Sequence, residues 1–136
     1  MTYEETLHYL YTSIPVFQHS GASAYKPGLG TSIALDDYLG NPHKAYKTIH
    51  VAGTNGKGSV SHLLAAILRQ SGFKVGLYTS PHLVDFRERI RVNGKKISQD
   101  YVVDFVERHR SFFEPLHPSF FELTSSMALS ISATSR

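Results

Sequence analysis

Residues 53–59 read Gly-Thr-Asn-Gly-Lys-Gly-Ser and combine the residue types that a phosphate-binding loop requires. Glycines let the backbone curl so that several N–H groups point at one oxyanion. Lys57 can bring an ammonium group to the β- and γ-phosphates of a nucleotide, and Ser59 can offer a hydroxyl to Mg²⁺. The heptapeptide departs from the usual G-x-x-x-x-G-K-[ST] pattern, because the first glycine would fall on Val51 and Gly58 is inserted before the hydroxyl residue. A glycine-rich turn without a ligand is the alternative.

The sequence on either side of this heptapeptide predicts the elements that would position it. Residues 48–52 form a short, mostly apolar run, which predicts a buried strand. After the loop, apolar residues recur at helical spacing, namely Val60, Leu63, Leu64, Ile67 and Leu68. Gly72 stands where a helix ends in a left-handed residue, and residues 75–79 predict a second strand. We expect a right-handed βαβ unit with parallel strands, whose strand–loop–helix order favours a nucleotide triphosphate site over an empty turn.

Helix signals precede this block. Residues 2–13 predict a helix, since Thr2 and Glu5 have the spacing of a capping box. Residues 31–39 predict a second short helix with a capping hydroxyl at its first or second residue.

The segment after the second strand predicts a hairpin and two helices. Residues 90–97 resemble a β-hairpin with Asn93-Gly94 as its turn. Ser98 is a candidate cap for a helix at 99–113, and residues 120–133 predict a final helix.

Composition limits the class of protein. The 136 residues are 41% hydrophobic and 18% charged, which is typical of a soluble globular domain. The absence of cysteine excludes disulfides, thiolate zinc sites and a cysteine nucleophile. The N-terminus lacks the basic region of a signal peptide, and no apolar stretch approaches the ~20 residues of a membrane span. We expect a cytoplasmic protein with no membrane partner.

Positive charge is concentrated between positions 87 and 96. The net charge is +3, and this segment holds five basic residues against one acid, Glu88. The basic residues are Arg87, Arg89, Arg91, Lys95 and Lys96. A solvated hairpin is one interpretation, and a field that attracts an anionic small substrate is the other. No aromatic-interleaved basic stripe supports nucleic-acid binding, so we expect no nucleic-acid partner.

Two motifs together resemble one protein family. The first is the run from His50 to Ser59, and the second joins Leu-Tyr-Thr-Ser-Pro-His-Leu at 77–83 to Arg-Glu-Arg-Ile at 87–90. They resemble dihydrofolate synthase/folylpolyglutamate synthase, within the Mur ligase superfamily, and the inserted Gly58 resembles the folate branch. The resemblance implies an α/β fold, a Mur-ligase-type P-loop ATPase domain with a central, mostly parallel sheet and flanking helices.

The resemblance also implies a reaction. An ATP-dependent carboxylate–amine ligase would transfer the γ-phosphate to a carboxylate of dihydropteroate or a folate, and L-glutamate would attack the acyl phosphate. Phosphorylation supplies the leaving group that a carboxylate lacks, so the protein needs no nucleophile. ATP and Mg²⁺ are the implied cofactors, and we expect a monomer that binds small-molecule substrates.

The resemblance also implies roles for individual residues that match the motifs of the family. The implied ATP-binding residues are Gly53, Thr54, Asn55, Gly56, Lys57, Gly58 and Ser59, with Lys57 catalytic, and the implied metal ligands are Ser59 and Ser80. The implied pteroate or folate contacts are Pro81, His82, Leu83, Ser119, Phe120, Phe121 and Glu122. The two phenylalanines could equally be core residues, and the glutamate a first-turn acid favoured by the helix dipole.

The chain departs from the family after Leu129. The family continues into a strand ending Ile-Glu-Val-Gly and a Gly-Gly-Arg-Leu-Asp-Ala-Thr-Asn-like segment, and residues 130–136 resemble neither. We therefore expect residues 1–136 to be a truncated N-terminal part of the ATP-binding domain, without the C-terminal glutamate-binding domain and inactive by itself. A non-catalytic nucleotide- or folate-binding module and a P-loop small-molecule kinase are the alternatives.

Overall fold

The computed structural model describes residues 1–13, 30–53, 55–80 and 84–134. Its α-helices are α1 (Tyr3–Ser13), α2 (Gly30–Tyr38), α3 (Lys57–Gln70), α4 (Gln99–Phe113) and α5 (Phe120–Thr134). Its strands are β1 (Gly76–Tyr78), β2 (Ile90–Val92) and β3 (Lys95–Lys96). Within these ranges, no helix has the length and apolar character needed to span a bilayer.

The chain divides into two compact units. The first unit comprises Met1–Asn41 and Gln99–Met127, and the second unit comprises Pro42–Ser98 and Ala128–Arg136. The first unit therefore contains α1, α2, α4 and half of α5, whereas the second contains α3 and the three strands.

The first helix begins as the sequence predicts. The backbone N–H of Glu5 donates to Oγ1 of Thr2 at 3.1 Å, and the backbone N–H of Thr2 donates to Oε1 of Glu5 at 2.8 Å. This capping box satisfies amide donors that the first turn of a helix otherwise leaves without a partner. The second helix begins at Gly30, so the hydroxyl residues predicted as its cap, Thr31 and Ser32, lie inside its first turn.

Apolar side chains at helical spacing on α4 and α5 form the core of the first unit. The most deeply buried are Val102, Phe105, Val106, Phe113, Phe120, Leu123 and Met127, each at most 3% exposed. Burying one such side chain contributes about 1.5–3 kcal/mol, which outweighs the modest helix propensity of Phe and Val. The helices predicted at 99–113 and 120–133 are confirmed, and the second extends to Thr134.

The hairpin predicted at 90–97 is confirmed as β2 and β3. Its turn residues, Asn93 and Gly94, have φ of 52° and 80°, the positive values that a two-residue type I′ turn requires. The Asn93 side chain also accepts a hydrogen bond from the backbone N–H of Val75 at 2.8 Å, which ties the turn to the residue before β1. The three strands form one antiparallel sheet in the order β1-β2-β3.

The predicted parallel βαβ unit is not present in the described residues. Residues 48–52 form no strand, and Ile49 is 65% exposed, so the prediction of a buried strand there is wrong. The strand predicted at 75–79 forms at Gly76–Tyr78, but it pairs with β2 in antiparallel register. A strand is stable only beside a neighbour that takes up its backbone N–H and C=O groups. The described part of the second unit offers residues 48–52 no such neighbour.

The amphipathic helix after the glycine-rich heptapeptide is confirmed, but its apolar face is exposed. Val60, Leu63 and Ile67 are 52%, 64% and 60% exposed, and α3 has no buried residue. Gly72 ends the helix in the predicted left-handed conformation, with φ of 95°. A helix normally buries such an apolar stripe against a sheet. The apolar face of α3 is exposed because the described residues form no parallel sheet to cover it.

Candidate functional site

The glycine-rich heptapeptide leads directly into the N-terminus of α3. Gly56 is the residue before the helix and adopts φ of 76°, a left-handed conformation that favours glycine. The backbone N–H of Val60 donates to the carbonyl of Gly56 at 3.0 Å and closes the first turn. Lys57 is therefore the first residue of the helix, and Ser59 lies in the same turn.

The start of α3 is open to solvent and electropositive. Among the described residues no side chain caps it, and Lys57, Gly58 and Ser59 are exposed. The first N–H groups of a helix have no acceptor within it, and the helix dipole adds partial positive charge there. A Cβ built on Gly56 or Gly58 would meet no described residue within 4 Å, which leaves room for a ligand against the backbone. This arrangement can bind an oxyanion such as a phosphate. Thr54 lies outside the described residues.

Ser80 follows the end of β1 and is exposed. The backbone N–H of Thr79 donates to the carbonyl of Arg89 at 2.8 Å, which continues the pairing of β1 with the β2 side of the hairpin by one residue. The described residues of the chain contain no cluster of three His, Cys, Asp or Glu side chains that could hold a metal alone. Three residues predicted to contact the substrate lie outside the described residues: Pro81, His82 and Leu83.

Asp85 was not singled out by the sequence, yet it organises the segment before the hairpin. Its carboxylate accepts from the backbone N–H of Arg87 at 2.9 Å, from Nη2 of Arg87 at 3.1 Å and from Nζ of Lys96 at 3.3 Å. Burial raises the pKa of Asp85, but these hydrogen bonds and the Arg87 charge outweigh it and lower the pKa to about 2. Glu88 completes a capping box with Asp85, so the Asp-x-x-Glu spacing is the signal that could have revealed it.

The segment Ser119 to Glu122 lies in the first unit and caps α5. The Ser119 backbone N–H donates to Oε1 of Glu122 at 2.8 Å, and the Glu122 backbone N–H donates to Oγ of Ser119 at 3.1 Å. Phe120 is 2% exposed and stacks on Tyr11 with 5.7 Å between ring centroids, so it is a core residue. Phe121 is 59% exposed and is the aromatic ring of this segment that presents a surface.

The chain is similar in sequence to folate-synthase proteins. A probable bifunctional folylpolyglutamate synthase/dihydropteroate synthase of Haloferax volcanii is 40% identical over 136 residues, which cover 95% of this chain and 15% of the relative. A dihydrofolate synthase/folylpolyglutamate synthase of Bacillus subtilis is 39% identical over 109 residues, which cover 76% of this chain and 25% of the relative. The chain thus spans a quarter or less of the length of these curated relatives. No family model matches the chain.

Solved structures show the same likeness. Folylpolyglutamate synthase from Thermotoga maritima is 43% identical with a TM-score of 0.85, covering 98% of this chain and 30% of that chain. An FPGS–AMPPCP–folate complex is 31% identical with a TM-score of 0.81, covering 98% of this chain and 33% of that chain. These structures confirm the predicted fold class, of which the 136 residues form part of a domain. The chain belongs to the dihydrofolate synthase/folylpolyglutamate synthase family of the Mur ligase superfamily.

Proposed function

We propose that residues 1–136 contribute part of the ATP-binding domain of a ligase that adds L-glutamate to dihydropteroate or to folates. The observation that carries the proposal is the exposed N-terminus of α3, where a left-handed Gly56 leads into Lys57 and Ser59. The likeness to an FPGS structure that holds AMPPCP and folate supports an ATP-like nucleotide and a folate as the two ligands.

The phosphates of ATP would lie against the start of α3. Backbone N–H groups of the first turn and the helix dipole would hold the β- and γ-phosphate oxygens, and Lys57 would neutralise their charge. These groups are fixed before the reaction, so they stabilise developing charge without reorganisation. The acyl phosphate forms on the substrate carboxylate, which is why the chain needs to position and neutralise rather than to attack.

Mg²⁺ is the metal that the residues fit. Ser59 and Ser80 are exposed hydroxyls in the same unit, and Mg²⁺ commonly combines few protein oxygens with phosphate oxygens and water. The described residues offer no carboxylate-rich cluster, so a nucleotide-bound Mg²⁺ fits them better than a metal held by side chains alone. When bound, Mg²⁺ supplies charge neutralisation at the transferring phosphoryl group.

For the acceptor side, we propose residues 81–83, which directly follow Ser80. In the first unit, Phe121 is the residue of its segment that we assign to the pterin or aminobenzoate rings, because its side chain is exposed while Phe120 is buried. Aromatic rings of this kind stack readily on flat heterocycles.

Replacing Lys57 by alanine tests the nucleotide site. Lys57→Ala should weaken MgATP binding by about tenfold or more, because a charge-assisted contact to phosphate is lost. Lys44→Ala removes the same charge from another exposed position of the second unit and should change affinity less than about twofold. Isothermal titration of the purified chain measures both. Unchanged ATP affinity in Lys57→Ala would overturn the assignment.

We also propose that residues 1–136 alone do not ligate glutamate. Ser59 and Ser80 supply only two protein oxygens to the metal, and the matched region covers a quarter or less of the relatives that share it. Loss of one electrostatic element at a transferring group costs about 10²–10³ in rate, and several would be incomplete together. The assay combines the chain with ATP, Mg²⁺, dihydropteroate and labelled glutamate. Dihydrofolate formed above a Lys57→Ala control would contradict this proposal.

A further inference from the structure

The second unit carries a large excess of positive charge. Its segment Pro42–Ser98 contains ten Lys and Arg residues against two acids, Asp85 and Glu88. Both acids are already engaged. Asp85 accepts from Arg87 and Lys96, and Glu88 accepts from the backbone N–H groups of Val84 and Asp85. The cations of this segment therefore outnumber its acids five to one.

Arg91, on β2 of the hairpin, lacks hydrogen-bond and ion-pair partners for its guanidinium group in the described residues. In the sheet it lies directly opposite Lys96 on one side and Leu77 on the other. Residues directly opposite each other in antiparallel strands point to the same face, so two like charges lie side by side, which is destabilising. The Nε atom of Arg91 is buried without a hydrogen-bond acceptor, and within the described ranges the side chain forms no ion pair.

On the same face of the sheet, Lys96 already pairs with a carboxylate. One carboxylate, that of Asp85, lies between Lys96 at 3.3 Å and Arg87 at 3.1 Å. A second carboxylate beside Arg91 would satisfy its Nε and offset its repulsion with Lys96. Guanidinium groups hold carboxylates through two parallel N–H bonds, which gives such a subsite geometric preference as well as charge.

The position of Arg91 suits the far end of an acidic substrate. Its cross-strand neighbour Leu77 precedes Ser80 by three residues, which corresponds to about 10 Å along an extended chain. The hairpin turn, which follows Arg91, pairs with the start of β1, whereas Ser80 follows its end. Arg91 therefore lies within reach of a chain that extends from a ligand at Ser80 along the sheet.

We infer that Arg91, with Lys96 beside it, forms a carboxylate-binding subsite for the glutamyl tail of a folate substrate. The inference rests on the proposed function, since that function supplies a substrate with such a tail. It adds to that function a preference for substrates that already carry glutamyl carboxylates, and it assigns the preference to the hairpin.

Arg91→Gln tests this subsite when it is compared with a matched control. Arg91→Gln should weaken binding of folyl-triglutamate about tenfold, because hydrogen bonds to a charged partner are lost, and leave binding of pteroate and ATP within about twofold. Lys95→Gln removes the same charge one residue from Lys96, on the opposite face of the sheet, and should leave all three affinities within about twofold. Arg91→Lys keeps the charge without the bidentate geometry and should fall between wild type and Arg91→Gln. Isothermal titration measures the affinities, and circular dichroism checks that each variant is folded.

Three outcomes would overturn the subsite. In the first, Arg91→Gln weakens the binding of pteroate and of folyl-triglutamate equally. In the second, Lys95→Gln weakens folyl-triglutamate binding as much as Arg91→Gln does. In the third, Arg91→Gln weakens ATP binding instead, which would mean that Arg91 binds a nucleotide phosphate. Titration with γ-linked triglutamate, which lacks a pterin, separates this inference from the proposed function. If the chain binds neither pteroate nor folate, the proposed function fails, and Arg91-dependent binding of triglutamate still supports the subsite. Triglutamate binding that is unchanged in Arg91→Gln and Arg91→Lys overturns it.

Discussion

The two units differ in charge and in how their helices are covered. The first unit has three basic residues against nine acids, and α4 alone buries four large apolar side chains. The second unit has eleven basic residues against two acids, and its long helix α3 buries none of its residues. The net charge of +3 thus conceals one strongly acidic and one strongly basic region.

The first unit supplies most of the apolar burial, whereas the second unit carries the exposed polar side chains of the proposed nucleotide site. The first unit obtains its stability from apolar burial, and Phe121 is the exposed ring of its segment 119–122. The second unit holds Lys57, Ser59 and Ser80, whose exposed side chains and surplus positive charge suit anionic ligands. The exposed stripe of α3 accompanies that arrangement, because the helix whose first amides we propose to bind phosphate also has an apolar face to cover.

The largest expected effect is a contrast between two leucines. Leu123→Ala, at a site with no exposure in the first unit, should lower the free energy of unfolding by about 2–5 kcal/mol through lost burial and a cavity. Leu63→Ala on α3, where the leucine is 64% exposed, should change it by less than about 0.5 kcal/mol. Urea unfolding followed by circular dichroism measures both variants. Equal losses would mean that the face of α3 is covered in solution, and the comparison between the units would be broken.

The two units also differ in how much of them could be predicted from sequence. The helix at 99–113 and the Asn93-Gly94 turn depend on residues close in the chain, and both are confirmed. A strand at 48–52 depends on a distant neighbour, which no local pattern specifies, and it does not form. Within the site, Lys57 and Ser59 are exposed as a ligand-binding role requires, whereas the neighbouring rings Phe120 and Phe121 could not be assigned to core and surface before the register of α5 was known. The Asp85 contact with Lys96 likewise needed the hairpin to bring them together.

Gly76 tests whether the second unit is tightly packed at β1. A Cβ added to Gly76 on β1 would lie 2.3 Å from Oγ and 3.2 Å from Cβ of Ser132 on α5. Rotation of the hydroxyl can relieve the first contact but not the second, so Gly76→Ala should cost about 1–3 kcal/mol of unfolding free energy. Adding Ser132→Ala should restore part of that loss. Gly30→Ala in the first unit, where a Cβ would meet no atom of the described residues within 4 Å, is the control and should be nearly neutral. A neutral Gly76→Ala would show that the second unit is loosely packed there as well.

The smallest expected effect concerns Asp85, whose carboxylate pairs with Arg87 and Lys96. The folded pKa of Asp85 is about 2, below its usual value of 3.8, because the Arg87 and Lys96 hydrogen bonds outweigh burial. A depressed carboxyl pKa contributes stability that is fully present above the unfolded pKa and is lost as the pH falls through the folded one. The contribution should therefore be complete above about pH 4 and disappear toward pH 2.

Asp85→Asn measures this contribution. The pKa shift corresponds to at most about 2–3 kcal/mol, and because the Asp85 side chain is 25% exposed we expect a loss of about 1 kcal/mol at pH 7. The loss should shrink as the pH falls from 4 to 2, since wild type then loses what the variant already lacks. Asp104→Asn removes an exposed helix-surface pair with Arg108 in the first unit and should cost less than about 0.5 kcal/mol. Urea unfolding of wild type and both variants between pH 2 and 7 measures the loss of unfolding free energy at each pH. A loss in Asp85→Asn that does not vary with pH would mean that the residue acts only as the cap of the 3-10 helix Phe86–Arg89. The positive charge of the second unit would then not be balanced by this carboxylate.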